Sequence, residues 1–209
     1  MFVKKILMLA ERMQPGNGVS DYCGKLSSIL SENGYEVHIA FFSGSDYTER
    51  IGNIYKHGIS FVLHGNNLFT WAMMMNNELK RRGREIFNEH GFDVIHANDW
   101  LTTPAGIAMK KLTGKPLLVT IHSTENERGF SDPQSPSISD IEWWACYEAA
   151  KVLVSSQRTF HSIKNDLGVP AEKIDILKLH DDSWQERVLD IYSRALVMEN
   201  VIHGEQTAD

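Results

Sequence analysis

Short apolar runs alternate along this chain with longer segments whose apolar positions recur every three to four residues. A strand covered on both faces reads as a continuous apolar run, whereas a helix packed on one side reads with a 3.6-residue period. The alternation therefore predicts an α/β domain with a parallel sheet. Residues 2–10 predict a first buried strand. Val19, Tyr22, Cys23, Leu26, Ile29 and Leu30 then share one helical face, and Asn33-Gly34 stops that helix because glycine tolerates a left-handed cap. Residues 35–42 give a second strand and 59–63 a third. Leu68, Ala72, Met75, Leu79 and Ile86 recur at helical spacing. A strand over 92–97, a helix over 102–112 and a strand over 116–122 follow.

A polar loop of about fifteen residues, from Ser123 on, is expected next; loops of that length are usually functional or mobile. Ser139 and Glu142 have capping-box spacing and open a helix whose Trp143 and Trp144 read as core and interface residues. A strand from Val152, a helix to Leu167, the turn Gly168-Val169-Pro170 and a last strand over 174–177 complete the alternation. Ser183 and Glu186 repeat the capping spacing ahead of an apolar stripe of Trp184, Val188, Ile191, Ala195 and Leu196. The predicted fold is α/β: a single Rossmann-like, doubly wound, mostly parallel sheet with flanking helices and a C-terminal crossing helix. The division is residues 1–180 for the Rossmann-like domain and 181–209 for an amphipathic helix packing back on it, with a polar tail from Gly204.

Composition narrows the function. The chain has 209 residues, a net charge of −6 and 42% hydrophobic residues, an ordinary globular balance. A chain of this size buries roughly 70% of its unfolded surface, enough to fold without metal or disulfide. Cys23 and Cys146 lie far apart within helix-like patterns, so buried free thiols are expected. No run approaches the roughly 18 apolar residues of a membrane span, and the opening MFVKKILMLAE lacks a cleavage signal. A reducing cytoplasm is the expected compartment. The acidic balance argues against nucleic acid as the main partner.

In an open parallel sheet, ligands bind outside the carboxyl ends of the strands. Three polar loops fall there: PGNGVSD, HANDW and HSTENERG. Gly16 and Gly18 let backbone approach a ligand, and the helix start that follows offers N–H groups to a phosphate. GNGVSD lacks the third glycine of GxGxxG, and the second strand ends in Phe42-Ser43 where a ribose-binding acid is wanted, which disfavours NAD. His96 and His122 both sit at strand ends, where a lone histidine is more often a satisfied hydrogen-bonding residue than a catalyst. Asp99 follows in HANDW, with Trp100 able to cover apolar surface or stack on a sugar. His90, Asp93, His96 and Asp99 are spaced by three, which along a strand sends successive side chains to opposite faces. No metal site and no cofactor are assigned.

The segments PGNGVSDYCGKLSSILSENGYEVHI, FDVIHANDWLTTPAG, GKPLLVTIHSTENERG and VLVSSQRTFHSIKNDLGVPAEKIDIL resemble the amino-terminal half of retaining glycosyltransferases of the GT-B architecture, especially the glycogen and starch synthase branch and its archaeal-type relatives. Together they cover nearly all of residues 1–177. The resemblance implies a glycine-rich loop facing the donor diphosphate at Gly18, with Asn17 where a glycine is commoner. It implies a reaction-centre histidine at His122 and an acceptor-side aspartate at Asp99. It makes Glu125 and Arg128 candidates for an acceptor-facing loop. In that family the EKIDIL-like strand leads into a second domain that grips the nucleotide sugar with a basic pair and two glutamates eight positions apart. Here it runs almost directly into SWQERVLDIYSRAL, which resembles the family's final helix, and no two glutamates lie eight apart.

The expectation is an acceptor-side domain for sugar transfer from a nucleotide sugar to a glucan or other carbohydrate, inactive or weak alone. The donor-binding domain is largely missing, with the junction near residues 177–180. A donor-domain partner chain or a homo-oligomer would complete it. The alternatives are a non-catalytic carbohydrate-binding module and a protein-docking module whose exposed half-cleft meets a partner.

Overall fold

In the computed structural model of the chain, which describes residues 3–62, 67–178, 181 and 183–204, strand β1 (Lys5–Ala10) has both faces covered. Leu7 and Leu9 join one hydrophobic core, while Ile6, Met8 and Ala10 join a second on the other face. Side chains alternate across a strand, so two-sided burial turns a continuous apolar run into two cores. Helix α1 (Gly18–Glu32) leads to β2 (Glu36–Phe42), and a hairpin of β3 (Tyr47–Ile51) and β4 (Ile54–Ile59) follows. Next come α2 (Leu68–His90), β5 (Val94–Asn98), α3 (Asp99–Thr113), β6 (Leu117–Ile121) and the one-turn α4 (Glu125–Arg128). The chain continues through α5 (Ser135–Glu148), β7 (Lys151–Val154), α6 (Gln157–Asn165), β8 (Ile174–Ile176) and α7 (Trp184–Gly204).

The sheet order is β3-β4-β2-β1-β5-β6-β7-β8, and every neighbouring pair is parallel except β3 with β4. From β1 the chain builds outward on one side, then crosses to β5 and builds outward on the other. Strand order therefore reverses between β1 and β5, and the carboxyl ends of those strands frame a crevice. The Rossmann-like, doubly wound sheet with flanking helices is thus observed. Helix α7 returns to α1: Trp184, Val188, Tyr192 and Ala195 are buried in the same core as Tyr22, Leu26 and Leu30. Across the sheet, α3 sits close to β5 because Gly106 has no side chain. A Cβ there would stand 2.9 Å from the Cβ of Ala97 and 3.1 Å from Leu117 Cδ1. Cys23 and Cys146 are buried free thiols. No described helix is long and apolar enough to cross a membrane.

Several elements differ from the expectation. The strand placed at 59–63 is β4 and ends at Ile59; Leu63 lies outside the described residues, as do residues 179–180 and the tail beyond Gly204. It is preceded by β3, which the apolar pattern does not reveal because all five of its residues are exposed. The signal that marks it is the two-residue Gly52-Asn53 connection, with Gly52 at φ 61°. Helix α3 starts at Asp99 rather than Thr102. The expected long loop after β6 holds α4, and α5 begins at Ser135, so Ser139 is interior and caps nothing. The capping box in this stretch belongs to Thr124 and Glu127, which exchange side-chain and backbone hydrogen bonds. Trp143 and Trp144, expected in core and interface, are 50% and 38% exposed.

Candidate functional site

The site is built where β5 and β6 end. Asn98, the last residue of β5, is buried; its Nδ2 donates to Leu9 O at 2.9 Å and ties β5 to β1, while its Oδ1 has no hydrogen-bond partner. The next residue, Asp99, takes φ 55°, a left-handed value that non-glycine residues seldom adopt. That turn directs Asp99 across to the end of β6, where its Oδ1 accepts the His122 N–H at 2.8 Å. Burial raises the Asp99 carboxyl above its ordinary range, and the neighbouring His122 and Arg128 partly offset the rise. The His122 ring packs edge-on against Tyr22, centroids 4.9 Å apart, and its Nε2 is buried without a partner. Buried polar atoms left unsatisfied are uncommon in native proteins. Two of them, Asn98 Oδ1 and His122 Nε2, lie at the crevice.

His96 has a different role. It is fully buried in β5, with Nδ1 2.5 Å from Tyr192 Oη of α7 and Nε2 2.7 Å from Thr120 Oγ1. Thr120 Oγ1 in turn lies 3.1 Å from Tyr22 Oη. Burial, and secondarily the charge of His122, pushes the His96 pKa down to about 3, so it stands neutral as the satisfied histidine expected of a strand end. This chain joins α7 to β5, β6 and α1, and it ends on the tyrosine that touches His122.

After β6 the chain forms a rigid corner around Arg128. Its Nε donates to Glu125 Oε2, its Nη2 to Glu142 Oε1, and its Nη1 to Ser123 O and Oγ, each at 2.8 Å. Glu125 is 4% exposed and also accepts from Ser135 Oγ at 2.6 Å. Glu142, reaching in from α5, accepts the Glu125 N–H on both carboxylate oxygens at 2.9 Å. Burial pushes the Glu142 pKa up to about 7 despite these donors, with the charge of Asp99 adding to the rise. Ser135 escapes notice in the sequence, and Glu142 is noticed there only as a capping partner of Ser139. The signal for Glu142 is its place on the buried stripe of Ile138, Ala145 and Cys146, where an acid demands a partner.

Asp99, Trp100, Glu125 and Arg128 line one cavity of about 320 Å³, together with Phe69 of α2 and Gln134. Trp100 is 5% exposed and stacked on Phe69, centroids 6.1 Å apart, so it forms wall rather than an open stacking platform. Glu125 is likewise a support for Arg128. The partly exposed Arg128 and Asp99 are presented to the cavity beside the polar side chains of Asn67, Ser131, Asp132 and Gln134. His122 is joined to this group through Asp99 without lining the cavity.

Gly16, Asn17 and Gly18 are not brought into it. They form the exposed turn before α1, with Gly16 at φ 82° and Gly18 opening the helix. Asn17 is the helix N-cap: its Oδ1 accepts from the N–H groups of Val19 at 3.0 Å and Ser20 at 3.5 Å. Two of the N–H groups that the sequence offers to a phosphate are thus engaged by the chain's own side chain. The metal ligands weighed in the sequence also disperse. Asp93 Oδ2 accepts the Lys5 N–H at 2.8 Å at the far end of the sheet, and His96 and Asp99 are engaged as described.

Residues 16–178 match the sequence profile described as Glycosyltransferase Family 4. The chain is similar to an uncharacterized glycosyltransferase of Methanocaldococcus jannaschii, 28% identical over 187 residues that cover 87% of this chain and 47% of that protein. It is also similar to the glycogen synthase of Mycobacterium tuberculosis, 25% identical over 83% of this chain and 47% of that enzyme. The chain therefore spans about half the length of these curated relatives. Among solved structures, a sucrose-phosphate synthase chain from Thermosynechococcus elongatus described with the spans 27–220 and 406–426 superposes with a TM-score of 0.70. It is 13% identical and is covered to 99%, against 93% of this chain. An Anabaena protein solved with UDP and glucose superposes with a TM-score of 0.54 at 17% identity, over 84% of this chain and 44% of that one.

Proposed function

The chain belongs to glycosyltransferase family 4, and from that premise we propose that it supplies the acceptor side of a site that transfers sugar from a nucleotide sugar to a carbohydrate hydroxyl. The observation that carries this reading is the convergence of Asp99, Trp100 and Arg128 on one cavity beyond the carboxyl ends of β5 and β6, beside the reversal point of the sheet. Behind them stand the unpartnered polar atoms of Asn98 and His122. A concave site whose Arg128 is held by buried carboxylates is preorganised for a small polar ligand. Asp99 contributes a carboxylate able to accept a hydrogen bond from an acceptor hydroxyl. His122 offers a ring nitrogen at the crevice, and Arg128 holds the loop between them.

The donor side is thinner. The turn at Gly16 to Gly18 is exposed and already capped by Asn17. Stabilising a departing nucleotide diphosphate requires positioned cations and dipoles, and these are the expected contribution of a second, donor-binding domain. We assign α7 as the family's closing helix, reached here directly after β8; the two-span sucrose-phosphate synthase chain, covered almost end to end, supports that assignment. On this reading the chain alone binds acceptor, holds nucleotide sugar weakly and turns over little.

The test is ligand-induced thermal shift with maltooligosaccharides, ADP-glucose, UDP-glucose and free nucleotides, because a ligand that binds only the folded state stabilises it by mass action. A shift with carbohydrate that disappears in Asp99→Ala supports the acceptor role. Robust turnover by this chain alone, or nucleotide binding without carbohydrate binding, overturns it. No shift with any of these ligands turns the assignment toward a docking module.

A further inference from the structure

At the opposite, amino-terminal edge of the sheet, Glu36, His38 and His90 each bring one ligand atom within 4.8 Å of the other two. We propose that these three residues form a binding site for a late first-row divalent cation, Zn²⁺ foremost. Two imidazoles and one carboxylate are a donor set suited to Zn²⁺ and leave one position for water. The fold prepares the geometry. Glu36 opens β2 and His38 follows two residues later, so both project from one face of the strand. Glu36 Oε1 and His38 Nε2 already stand 3.0 Å apart, close to the separation of about 3.3 Å that two ligands take around tetrahedral zinc. His90 is the last residue of α2, with its side chain 33% exposed, so rotation about its own side-chain bonds closes the remaining distance.

A second layer supports the first. The His38 ring stacks on Tyr55, centroids 4.6 Å apart and 10° from parallel, and lies 4.7 Å from the His90 ring. Its Nδ1 is 3.0 Å from His57 Nε2, and His57 Nδ1 is 3.2 Å from both Thr48 Oγ1 and Arg82 Nη2. Arginine only donates, so without metal His57 Nδ1 accepts, His57 Nε2–H donates to His38 Nδ1, and His38 Nε2–H donates to Glu36. Coordination through His38 Nε2 reverses this chain. The Nε2 proton leaves to solvent by way of Glu36, and the His57 Nε2 proton passes to His38 Nδ1. His57 Nδ1 takes one proton back from solvent and donates it to Thr48 Oγ1, a change that requires Arg82 Nη2, itself only a donor, to turn away from His57. Both rings stay neutral and the proton count is unchanged. The supporting hydrogen bond to a ligating histidine is the arrangement that fixes ring orientation in metal sites.

Lys5 is the competitor. Its Nζ lies 3.3 Å from Glu36 Oε1 and donates to His90 O at 2.9 Å, so a cation is already drawn to the pocket and an incoming metal must displace it. That relation gives the test its sign. Chelator-treated chain is titrated with ZnCl2, with MgCl2 as the comparison, followed by calorimetry and thermal unfolding; CoCl2 reports coordination by visible absorption. One Zn²⁺ per chain, a higher melting temperature and a four-coordinate Co²⁺ spectrum are expected, with no response to Mg²⁺. Removing the buried His38 side chain endangers the fold, so His90→Ala is the ligand variant. It should keep the native circular dichroism and lose affinity roughly tenfold or more. Lys5→Met should tighten binding several-fold, and His161→Ala, an exposed histidine on α6, should leave it unchanged. Absence of one-to-one binding, affinity that survives His90→Ala, or an equal loss in His161→Ala overturns the proposal.

Discussion

Two loops at the same edge of the sheet are built in opposite ways. The turn after β1 is exposed from Pro15 to Gly18, and its hydrogen bonds are local, chiefly those made by the Asn17 cap. The corner after β6 draws on four elements: Arg128 and Glu125 from α4, Ser135 and Glu142 from α5, Asp99 from α3, and Thr159 and Ser162 from α6. The contrast separates a surface that awaits a partner from one that is already shaped. Local capping costs little and leaves backbone groups that can be redirected. An Arg–Glu–Glu cluster whose two carboxylates are buried commits its residues, because removing one partner leaves a carboxylate desolvated and short of a partner.

The largest effect that would sharpen this contrast is expected from Glu142→Ala. It removes the acceptor of the Glu125 N–H and one of the two carboxylates on Arg128, and should cost about 2–4 kcal/mol in denaturant unfolding. It should also abolish carbohydrate binding. Retention of both stability and binding would show that the corner is no more committed than the turn. Next comes pH. The folded-state pKa of Glu142, about 7, lies above that of the unfolded chain, so its contribution to stability is complete below about pH 4.5 and is lost as pH rises through 7. Stability should therefore fall on the order of 2 kcal/mol between pH 5 and 8 relative to Glu142→Gln, which keeps the shape without the titration. A parallel pH dependence in the two proteins would refute the assignment.

A smaller change is expected from Asp99→Ala, which deprives the His122 N–H of its acceptor and places alanine at a positive φ. About 1–2 kcal/mol of destabilisation should result, with Asp99→Asn recovering most of it because asparagine tolerates that backbone and still accepts. Asn17→Ala should cost the least, about 0.5–1 kcal/mol, and Asn17→Gly only a few tenths. If Asn17→Ala proved as damaging as Glu142→Ala, the two loops would not differ in the way described.

The same contrast explains what could be read from the sequence. Continuous runs such as residues 6–10 state two-sided burial directly, and Gly34 marks a helix end, so the doubly wound sheet was legible from the pattern. Asp99, Trp100, Glu125 and Arg128 were each named, and the structure brings them to one cavity. The assembly behind them was not legible. The stripe of Ile138, Ala145 and Cys146 turns Glu142 inward, but nothing in the sequence says that it meets the Glu125 N–H, since that contact spans seventeen residues and depends on where α5 begins. Reading Ser139 as a cap assigned Glu142 the wrong task. His90 was weighed with Asp93, His96 and Asp99, its neighbours in sequence, whereas the fold sets it beside His38 and Glu36. Edge strand β3 escaped because exposure removes the apolar signal that identifies a strand.

The position of β1 has a consequence for how the chain is made. Its register partners are β2, some thirty residues on, and β5, almost ninety on, as in the pairs Ile6 with Val37 and Ile6 with Val94. During synthesis the central strand can take its first neighbour early but waits for the second until almost ninety residues beyond it have been made. The apolar side of α1 waits longer still, because Trp184, Val188 and Tyr192 that cover it follow it by more than 150 residues. Through that interval the growing domain carries an open seam along Tyr22, Leu26 and Leu30. Transiently exposed surfaces of this kind invite association, so the growing chain is a natural client for a chaperone until α7 arrives.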